Sequence, residues 1–555
     1  MEDGPPRVSY GDFALDPDIA LGRQQPRPFS AEKLAAALGH GCSPRAIKAY
    51  LQSHPRETIE LELNVLVRQH HILTYALERN DAECLKVIME YGADLKAKAF
   101  GDIPLLAYAI MRTKWTLQNA TDVVKTLLVY GADSRCIPQD MWSEYVKTPK
   151  AETDHKATEP SLITRTKWCT PDRRAVLAET LNLTMRYYLW RAKRLEPPTK
   201  RTLQIAKAHK MTDLFKVPFQ IIGQEPATNL VVQNIYTHIA LRTPKPLVLA
   251  FAGLPGHGKT ELAGQLGRLL SVSARELDCT QIGEISSLLG APKGYEGHRE
   301  VSPLNDFLTQ NSGVRCVVFM DEFDKTKMDV REALLKVMDT GMHRDRKSNL
   351  EIDASQVIWI LATNLGDTVI SRFHSKHIAT RKDADIDKIS IEPLRKDLRS
   401  LFRSAYSPAI AGRINVMVPF FPFSPNEQAV VAHKFVLDMQ DKARQPIDIN
   451  APQLQFMAHS HIFVVDDGKV CQHIADTSYE PEEGARSISA GVDDMRRKFG
   501  RAYSNTDEEV TDEMNNGPLT KFTVQLHPVS ETDEDEITVF RDGSTVVAGP
   551  RGSGK

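Results

Sequence analysis

Apolar residues recur along this chain at two different periods. From residue 32 to residue 133 they come in short bursts at helical spacing: EKLAAALGHGCSPRAIKAYLQSHP (32–55), HILTYALERNDAECLKVIMEYGAD (71–94), and IPLLAYAI followed by TDVVKTLLVYGAD (103–133). The second and third bursts each pair a short helix with a second apolar-periodic helix and finish on the same Tyr-Gly-Ala-Asp; the first reads as a degenerate copy. PDRRAVLAETLNLTMRYYLWRAKRL (171–195) is strongly helical, and Leu177, Leu181, Met185 and Tyr188 recur on what would be a packed face. Beyond EPPTK the pattern changes to short apolar runs, such as PLVLAFAG, VRCVVF and SQVIWILA, alternating with helices. That alternation predicts an α/β domain with buried strands.

Two of those runs deliver chemistry. PLVLAFAGLPGHGKTELAGQLGRLL is a buried strand, a glycine loop and an amphipathic helix in succession, and the loop fits G-x-x-x-x-G-K-[ST]. In the loop of Gly253, Leu254, Pro255, Gly256, His257 and Gly258 the glycines let the backbone N–H groups, which Pro255 lacks, curl around a phosphate at a helix N-terminus, with Glu261 in the first helical turn. Lys259 can reach the β- and γ-oxygens of ATP, and the Thr260 hydroxyl can ligate Mg²⁺. VRCVVFMDEFDK then brings Asp321 and Glu322 to the C-terminal end of a second strand, Asp321 for the Mg²⁺ shell and Glu322 as general base on the attacking water. A third strand ends at Asn364, where an amide could position that water or contact the γ-phosphate; taken alone it would be a loop cap. The terminal AGPRGSGK repeats the glycine-lysine spacing without a Ser/Thr or a following helix and reads as a mobile tail.

Charge and cysteine usage narrow the setting. Lys plus Arg (70) nearly cancel Asp plus Glu (72), so no global field recruits nucleic acid or an anionic membrane. The seven cysteines are scattered, without CxxC or a close CxH pair, which favours a reducing compartment and disfavours a structural zinc site. No apolar run is long enough for a transmembrane helix, and MEDGPPRVSYGDFALDPDIA has neither a secretory nor a mitochondrial character. The expected location is the cytosol, with nuclear access left open.

From residues 215 to 497 the pieces together resemble the Clp/ClpB branch of the AAA+ ATPases. VPFQIIGQEPATNLV is similar to the family's VVGQ entry segment, which implies that Ile221 and Ile222 frame adenine. DEFDKTKMDVREALLKVMDTG and ATNLG resemble the family's Walker B and sensor 1 stretches. YSPAIAGRINVMVPFFPF puts Arg413 where the family carries a trans arginine finger, and YEPEEGARSI puts Arg486 at sensor 2. GAPKGYEGHRE (290–300) resembles the family's substrate-gripping loop, implying that Gly294, Tyr295, Glu296 and Gly297 face the channel of a hexameric ring; the family's usual valine is Glu296 here. GMHRDRKSNLEID (341–353) would be a second, basic pore loop. The 32–133 bursts resemble ankyrin repeats, although the usual TPLH corner reads Ile103-Pro104-Leu105-Leu106, and an unrelated array of helical hairpins stays open. Ankyrin repeats ahead of one Clp-type module are similar to the architecture of ankyrin-containing ClpB homologs of animal mitochondria.

The expected organisation is a disordered stretch over 1–29, all-α ankyrin repeats over 30–135, a linker with a helical segment over 136–214, a P-loop AAA+ large α/β domain over 215–418, a small helical lid of α+β character over 419–545, and a tail over 546–555. The resemblance implies an ATP- and Mg²⁺-dependent unfoldase or disaggregase acting on unfolded or aggregated proteins, with an unknown partner for the repeats and no nucleic-acid or membrane partner. Alternatives are a motor coupled to a protease, for which no [ILV]-G-[FL] docking loop occurs over 325–400, and a scaffold whose ATPase is a switch.

Overall fold

The computed structural model describes the chain except for residues 1–3, 9–27, 153–164, 291–301, 346–348, 382–384, 387–388, 451, 453, 529–534 and 547–555. The expected gripping loop at 294–297, most of the expected disordered N-terminal stretch and the glycine-lysine tail lie outside the described residues. By internal contacts the chain forms two units, one of Met1–Pro197, Ala429–Thr477 and Gly491–Lys555, the other of Pro198–Gln428 and Ser478–Ala490. These boundaries differ from the expected divisions at 214/215 and 418/419.

In the first unit the helical bursts fold as successive short helices: Ala31–Gly39 then Pro44–Gln52, Ile72–Glu78 packed on Ala82–Glu90, and Leu105–Thr116 packed on Thr121–Val129. Short polar side chains start three of these helices. Ser30 accepts from the Lys33 N–H, Ser43 from that of Ala46, and Asp81 from those of Glu83 and Cys84. The repeated Tyr-Gly-Ala-Asp is a stop signal, because Tyr91 and Tyr130 cap their helices while Gly92 and Gly131 take φ of +98° and +96°, a conformation open to glycine. A two-stranded antiparallel hairpin, Lys98–Ala99 with Ile103–Pro104, leads into the third pair. Glu78 ties the second pair to the third by an ion pair with Arg112 at 2.9 Å and a short hydrogen bond from the Tyr108 hydroxyl.

The stretch after the array is more ordered than its polar sequence suggested. Trp142 is fully buried with its indole N–H on the Ile137 carbonyl at 3.1 Å, and Tyr145 packs against Tyr187 and Trp190. The helical pattern of 171–195 is two helices, Pro171–Thr180 and Leu183–Arg194. Leu181 leaves helical geometry at ψ 86° and the Asn182 side chain caps the second helix by accepting from Met185 N–H at 2.9 Å. Leu177, Leu181, Met185 and Tyr188 are all buried, so the apolar face is real while the helix carrying it is broken.

Arg186 explains why this segment groups with residues 429–477. Its buried guanidinium donates to Asp467 Oδ1 (2.7 Å) and to the carbonyls of Tyr145 and Leu181 (both 2.7 Å), while Asp467 Oδ2 also accepts the Leu183 N–H at 2.6 Å. His433 Nδ1 lies 2.7 Å from the Thr184 hydroxyl, and its Nε2 is 3.6 Å from Asp467. Gly468 is obligatory, since a Cβ there would sit 1.8 Å from the Val146 carbonyl oxygen. The same unit holds a three-stranded sheet of Ser460–Val464, Leu519–Pro528 and Asp535–Val546 in that order.

The second unit is built on a five-stranded parallel sheet: β1 Leu247–Ala252, β2 Ser273–Asp278, β3 Cys316–Asp321, β4 Val357–Thr363 and β5 Val416–Pro419, in the order 2-3-4-1-5. Alternate residues feed opposite layers. Val248, Val318, Met320 and Trp359 point into one core, Leu249, Phe251, Phe319 and Ile360 into the other. Burial on both faces is why the central strands read as continuous apolar runs, and Cys316 is one of their buried small hydrophobes. The expected second pore loop contains an antiparallel pair, Met342–Arg344 with Glu351–Asp353. No described helix is long and apolar enough to cross a membrane.

The buried triad of the first unit predicts acid sensitivity. Burial drives the His433 imidazole down to about 4, Asp467 opposing and Arg186 reinforcing. Burial works against the Asp467 carboxylate, but Arg186 and His433 hold it below the usual range. Both groups therefore bind protons more tightly in the unfolded chain. Their stabilisation is present above pH 6.5 and is lost as pH falls toward 4, Asp467 following at lower pH. Urea denaturation of the chain should show a midpoint that drops across this window, and His433→Gln should flatten the drop. Asp467→Ala leaves Arg186 buried without its carboxylate and should cost about 3–5 kcal/mol at neutral pH in the same assay.

Candidate nucleotide site

Three loops meet at the C-terminal edge of the parallel sheet, where open α/β sheets bind ligands. The first joins β1 to the helix Lys259–Leu269 and turns on Gly253, Gly256 and Gly258, with φ of +143°, +73° and +91°. A Cβ at Gly253 would meet the Phe420 carbonyl oxygen at 2.5 Å. The second is the turn after β3, in which Glu322 takes a left-handed φ of +52° and so departs from the strand direction. Asp321 Oδ1 accepts the Glu322 N–H at 3.0 Å and braces that turn. The third follows β4 and carries Asn364.

A chain of hydrogen bonds links the three. Lys259 Nζ, only 7% exposed as a residue, donates to the carbonyls of Gly253 (2.5 Å) and Leu254 (2.9 Å) and to Asn364 Oδ1 (2.9 Å). Asn364 Nδ2 in turn donates to Glu322 Oε2 at 3.3 Å, and the Thr260 hydroxyl donates to Asp321 Oδ2 at 3.0 Å. Burial pushes the Lys259 ammonium down to about 8, opposed by Glu322, Asp321 and Asp324 and reinforced by Arg486. Thr260 and Asp321 thus lie side by side with oxygen donors of the type Mg²⁺ takes, a fit to the expected metal role.

The remaining predicted residues divide. Arg486 lies on Ser478–Ala490, the segment that joins this unit, and is near enough to Lys259 to depress its proton affinity. Ile221 and Ile222 are buried, Ile221 against Gly258. Glu261 is exposed in the first turn of its helix. Arg413 is not drawn into the Lys259–Asn364–Glu322 chain; it pairs with Asp339 at 3.1 Å and donates to the Ala409 carbonyl.

His257 does more than its position in the loop suggested. It is fully buried, its Nδ1–H on the Pro255 carbonyl (2.7 Å), its Nε2 3.2 Å from the Tyr479 hydroxyl, and its ring stacked on Phe423 at 4.9 Å. Burial lowers its proton affinity to about 4, so it stays neutral and its Nε2 can accept from Tyr479. Ala485 N–H donates to the Gly256 carbonyl at 2.9 Å, and a Cβ on Gly256 would lie 1.8 Å from the Glu483 carbonyl oxygen. The phosphate loop and the Arg486 segment therefore touch backbone to backbone. The glycine pattern pointed to phosphate contact at Gly256; that the same residue also admits a second chain segment was not legible from it.

Residues 245–417 match the family of the AAA domain (Cdc48 subfamily). This segment is similar to AAA domains. The module resembles those of Clp proteins: the chain is 27% identical over 282 residues to the chaperone protein ClpB of Staphylococcus epidermidis, covering 49% of this chain and 29% of that protein. It is also 27% identical over 284 residues to a ClpA homolog protein of Fuscovulum blasticum, covering 50% and 32%. The chain thus spans less than a third of the length of these relatives. A closed-state cryo-EM reconstruction of Hsp104 with ATPγS and FITC-casein aligns at a TM-score of 0.44 and 16% identity, over 91% of this chain and 78% of that one.

The contact between the glycine loop and Glu483 can be tested directly. Gly256→Ala combines a steric overlap with a positive φ and should cost about 1–3 kcal/mol. Nucleotide affinity, read by titration with a fluorescent ATP analogue, should fall about tenfold or more, whereas Gly264→Ala, where a Cβ meets nothing, should leave it unchanged.

Proposed function

We propose that the chain is an ATP-driven protein unfoldase or disaggregase that works as a ring and threads polypeptide through its centre. The observation that carries the reading is the hydrogen-bonded chain Lys259–Asn364–Glu322 beside the Thr260–Asp321 pair, because an ammonium, an amide and a carboxylate at one edge of the sheet suit phosphate binding, sensing and general-base chemistry. The similarity to ClpB and ClpA proteins supports the choice among AAA ATPase activities.

On this reading the backbone N–H groups of Gly253–Gly258 and the N-terminus of the following helix hold the phosphates of ATP, with Ile221 and Ile222 beside the base. A γ-phosphate competes with the carbonyls of Gly253 and Leu254 for the Lys259 ammonium, and the gain in charge pairing favours the protonated amine. Thr260 and Asp321 would hold a Mg²⁺ ion, which neutralises phosphate charge when bound. Glu322 Oε2 takes a proton from the attacking water, and Asn364, hydrogen-bonded to both Lys259 and Glu322, reports whether the γ-phosphate is present. Arg486 adds positive charge from its own subunit. Arg413, freed from Asp339, supplies it to the site of a neighbouring subunit, which couples hydrolysis to assembly.

Tyr295, between Gly294 and Glu296-Gly297, is the proposed grip: an aromatic ring holds any polypeptide by apolar contact without a sequence code. The successive helices of 31–129, with glycines 92 and 131 following two of them and a hairpin before Leu105–Thr116, support ankyrin-type repeats that recruit a protein partner or substrate.

Glu322→Gln should retain ATP binding and lower turnover by about 10²–10⁴-fold. Tyr295→Ala should keep ATP hydrolysis and lose refolding of a heat-aggregated enzyme. Turnover indifferent to Glu322→Gln would remove the motor, and refolding indifferent to Tyr295→Ala would leave an ATPase switch.

A further inference from the structure

The turn after β3 carries a third acid, Asp324, that the ATPase chemistry described above does not use. Its side chain is 19% exposed, pairs with Lys325 at 3.5 Å, and accepts the backbone N–H of Asn364 at 3.2 Å through Oδ1. Asp324 therefore holds the residue that bridges Lys259 and Glu322 by its main chain, leaving the amide side chain free for the site. The neighbours of both partners are fixed as well. Arg331 donates to the Asp324 carbonyl (2.9 Å) and to the hydroxyl and carbonyl of Thr326 (2.8 and 2.5 Å), which clamps the turn. The same guanidinium lies 4.8 Å over the Tyr406 ring. Tyr406, buried and edge-on to Phe323 at 5.5 Å, places its hydroxyl 2.9 Å from that of Thr363, and Thr363 Oγ1 accepts the Leu365 N–H at 3.0 Å. Asn364 is thus pinned on both sides, at its own N–H by Asp324 and at Thr363 and Leu365 by Tyr406.

We propose that Asp324 is a positioning residue for ATP hydrolysis, holding Asn364 by its backbone N–H so that the amide keeps its contacts with Lys259 and Glu322, with the Arg331–Tyr406–Thr363 bridge as the second half of the brace. The role in turnover rests on the reading of Asn364 and Glu322 as hydrolytic residues; the brace itself does not. A rotation of Asn364 about its backbone would break the 3.3 Å contact to Glu322 first, since it is the longest in the chain. A misplacement of about 1 Å in a catalytic array costs up to about a hundredfold in rate.

The experiment uses the full chain and compares wild type with Asp324→Ala, Asp324→Asn, Asn364→Ala and the double variant Asp324→Ala/Asn364→Ala. Asp324→Ala should lower kcat about tenfold or more, with affinity for a fluorescent ATP analogue within about twofold. Asp324→Asn, whose amide oxygen can accept the same N–H, should recover most of kcat. In the Asn364→Ala background Asp324→Ala should cost little further, since both act through one bridge. Equal losses in both backgrounds, or an Asn variant as impaired as the Ala variant, would overturn the proposal. Amide hydrogen exchange gives a readout independent of turnover: the peptide spanning Asn364 should exchange faster in Asp324→Ala and return to wild-type protection in Asp324→Asn. Unchanged exchange rejects the brace whether or not the chain hydrolyses ATP, and absent turnover with the expected exchange pattern rejects the hydrolytic reading alone.

Discussion

An ammonium group held in a buried pocket must find acceptors, and Lys259 organises the C-terminal edge of the sheet by finding them. Two are carbonyls of its own loop and the third is the side-chain oxygen of Asn364, a residue on a different strand. Burying an unpaired charge would cost several kcal/mol. The glycine conformations at 253, 256 and 258 aim the loop carbonyls, and β4, hydrogen-bonded between β1 and β3, delivers Asn364. The carboxylates of Asp321, Glu322 and Asp324 complete the compensation from farther away. The same positive charge that needs these acceptors is what a triphosphate would engage, so the chemistry and the local packing answer to one electrostatic constraint.

The constraint extends outward through the main chain. Glu322 can face Asn364 because the chain turns left-handed immediately after Asp321, and that turn is fixed by Asp321, Arg331 and the stacked Tyr406. On the other flank the phosphate loop is covered by Glu483–Ala485, which explains why residues 478–490 group with the sheet although the chain on either side of them does not. A segment of thirteen residues thereby brings Arg486 to the phosphate loop. In the other unit Arg186 plays a comparable role, since a fully buried guanidinium holds together Tyr145, Leu181 and Asp467 from three separated stretches.

Much of this could be read from residue order. The strand–glycine loop–helix pattern, the paired acids after an apolar run and the asparagine after a third run locate the site, because each is a local backbone requirement written in consecutive residues. Tyr-Gly-Ala-Asp was visible as a repeated ending, and its glycines do stop helices at positive φ. Less legible was the break at Leu181–Asn182, where unbroken apolar spacing hid a capping asparagine. Composition favoured a linker over residues 136–160, yet its described part buries Ile137, Met141, Trp142 and Tyr145.

Residue order dictates the local devices: helix starts and stops, alternating strand faces, the glycine loop and the identities of its charged and polar partners. Those depend on backbone conformations and periodicities that a few adjacent residues dictate. Which distant residues meet was settled by the packed fold: that Asn364 accepts from Lys259, that Asp324 holds Asn364, that Gly256 lies against Glu483, and that Arg186 reaches Asp467. Such pairings require groups far apart in the chain to meet within hydrogen-bond distance in a medium of low polarity, where an unpaired partner is costly. No spacing along the chain encodes that meeting, because it is set by sheet order and by the packing of the segments around it.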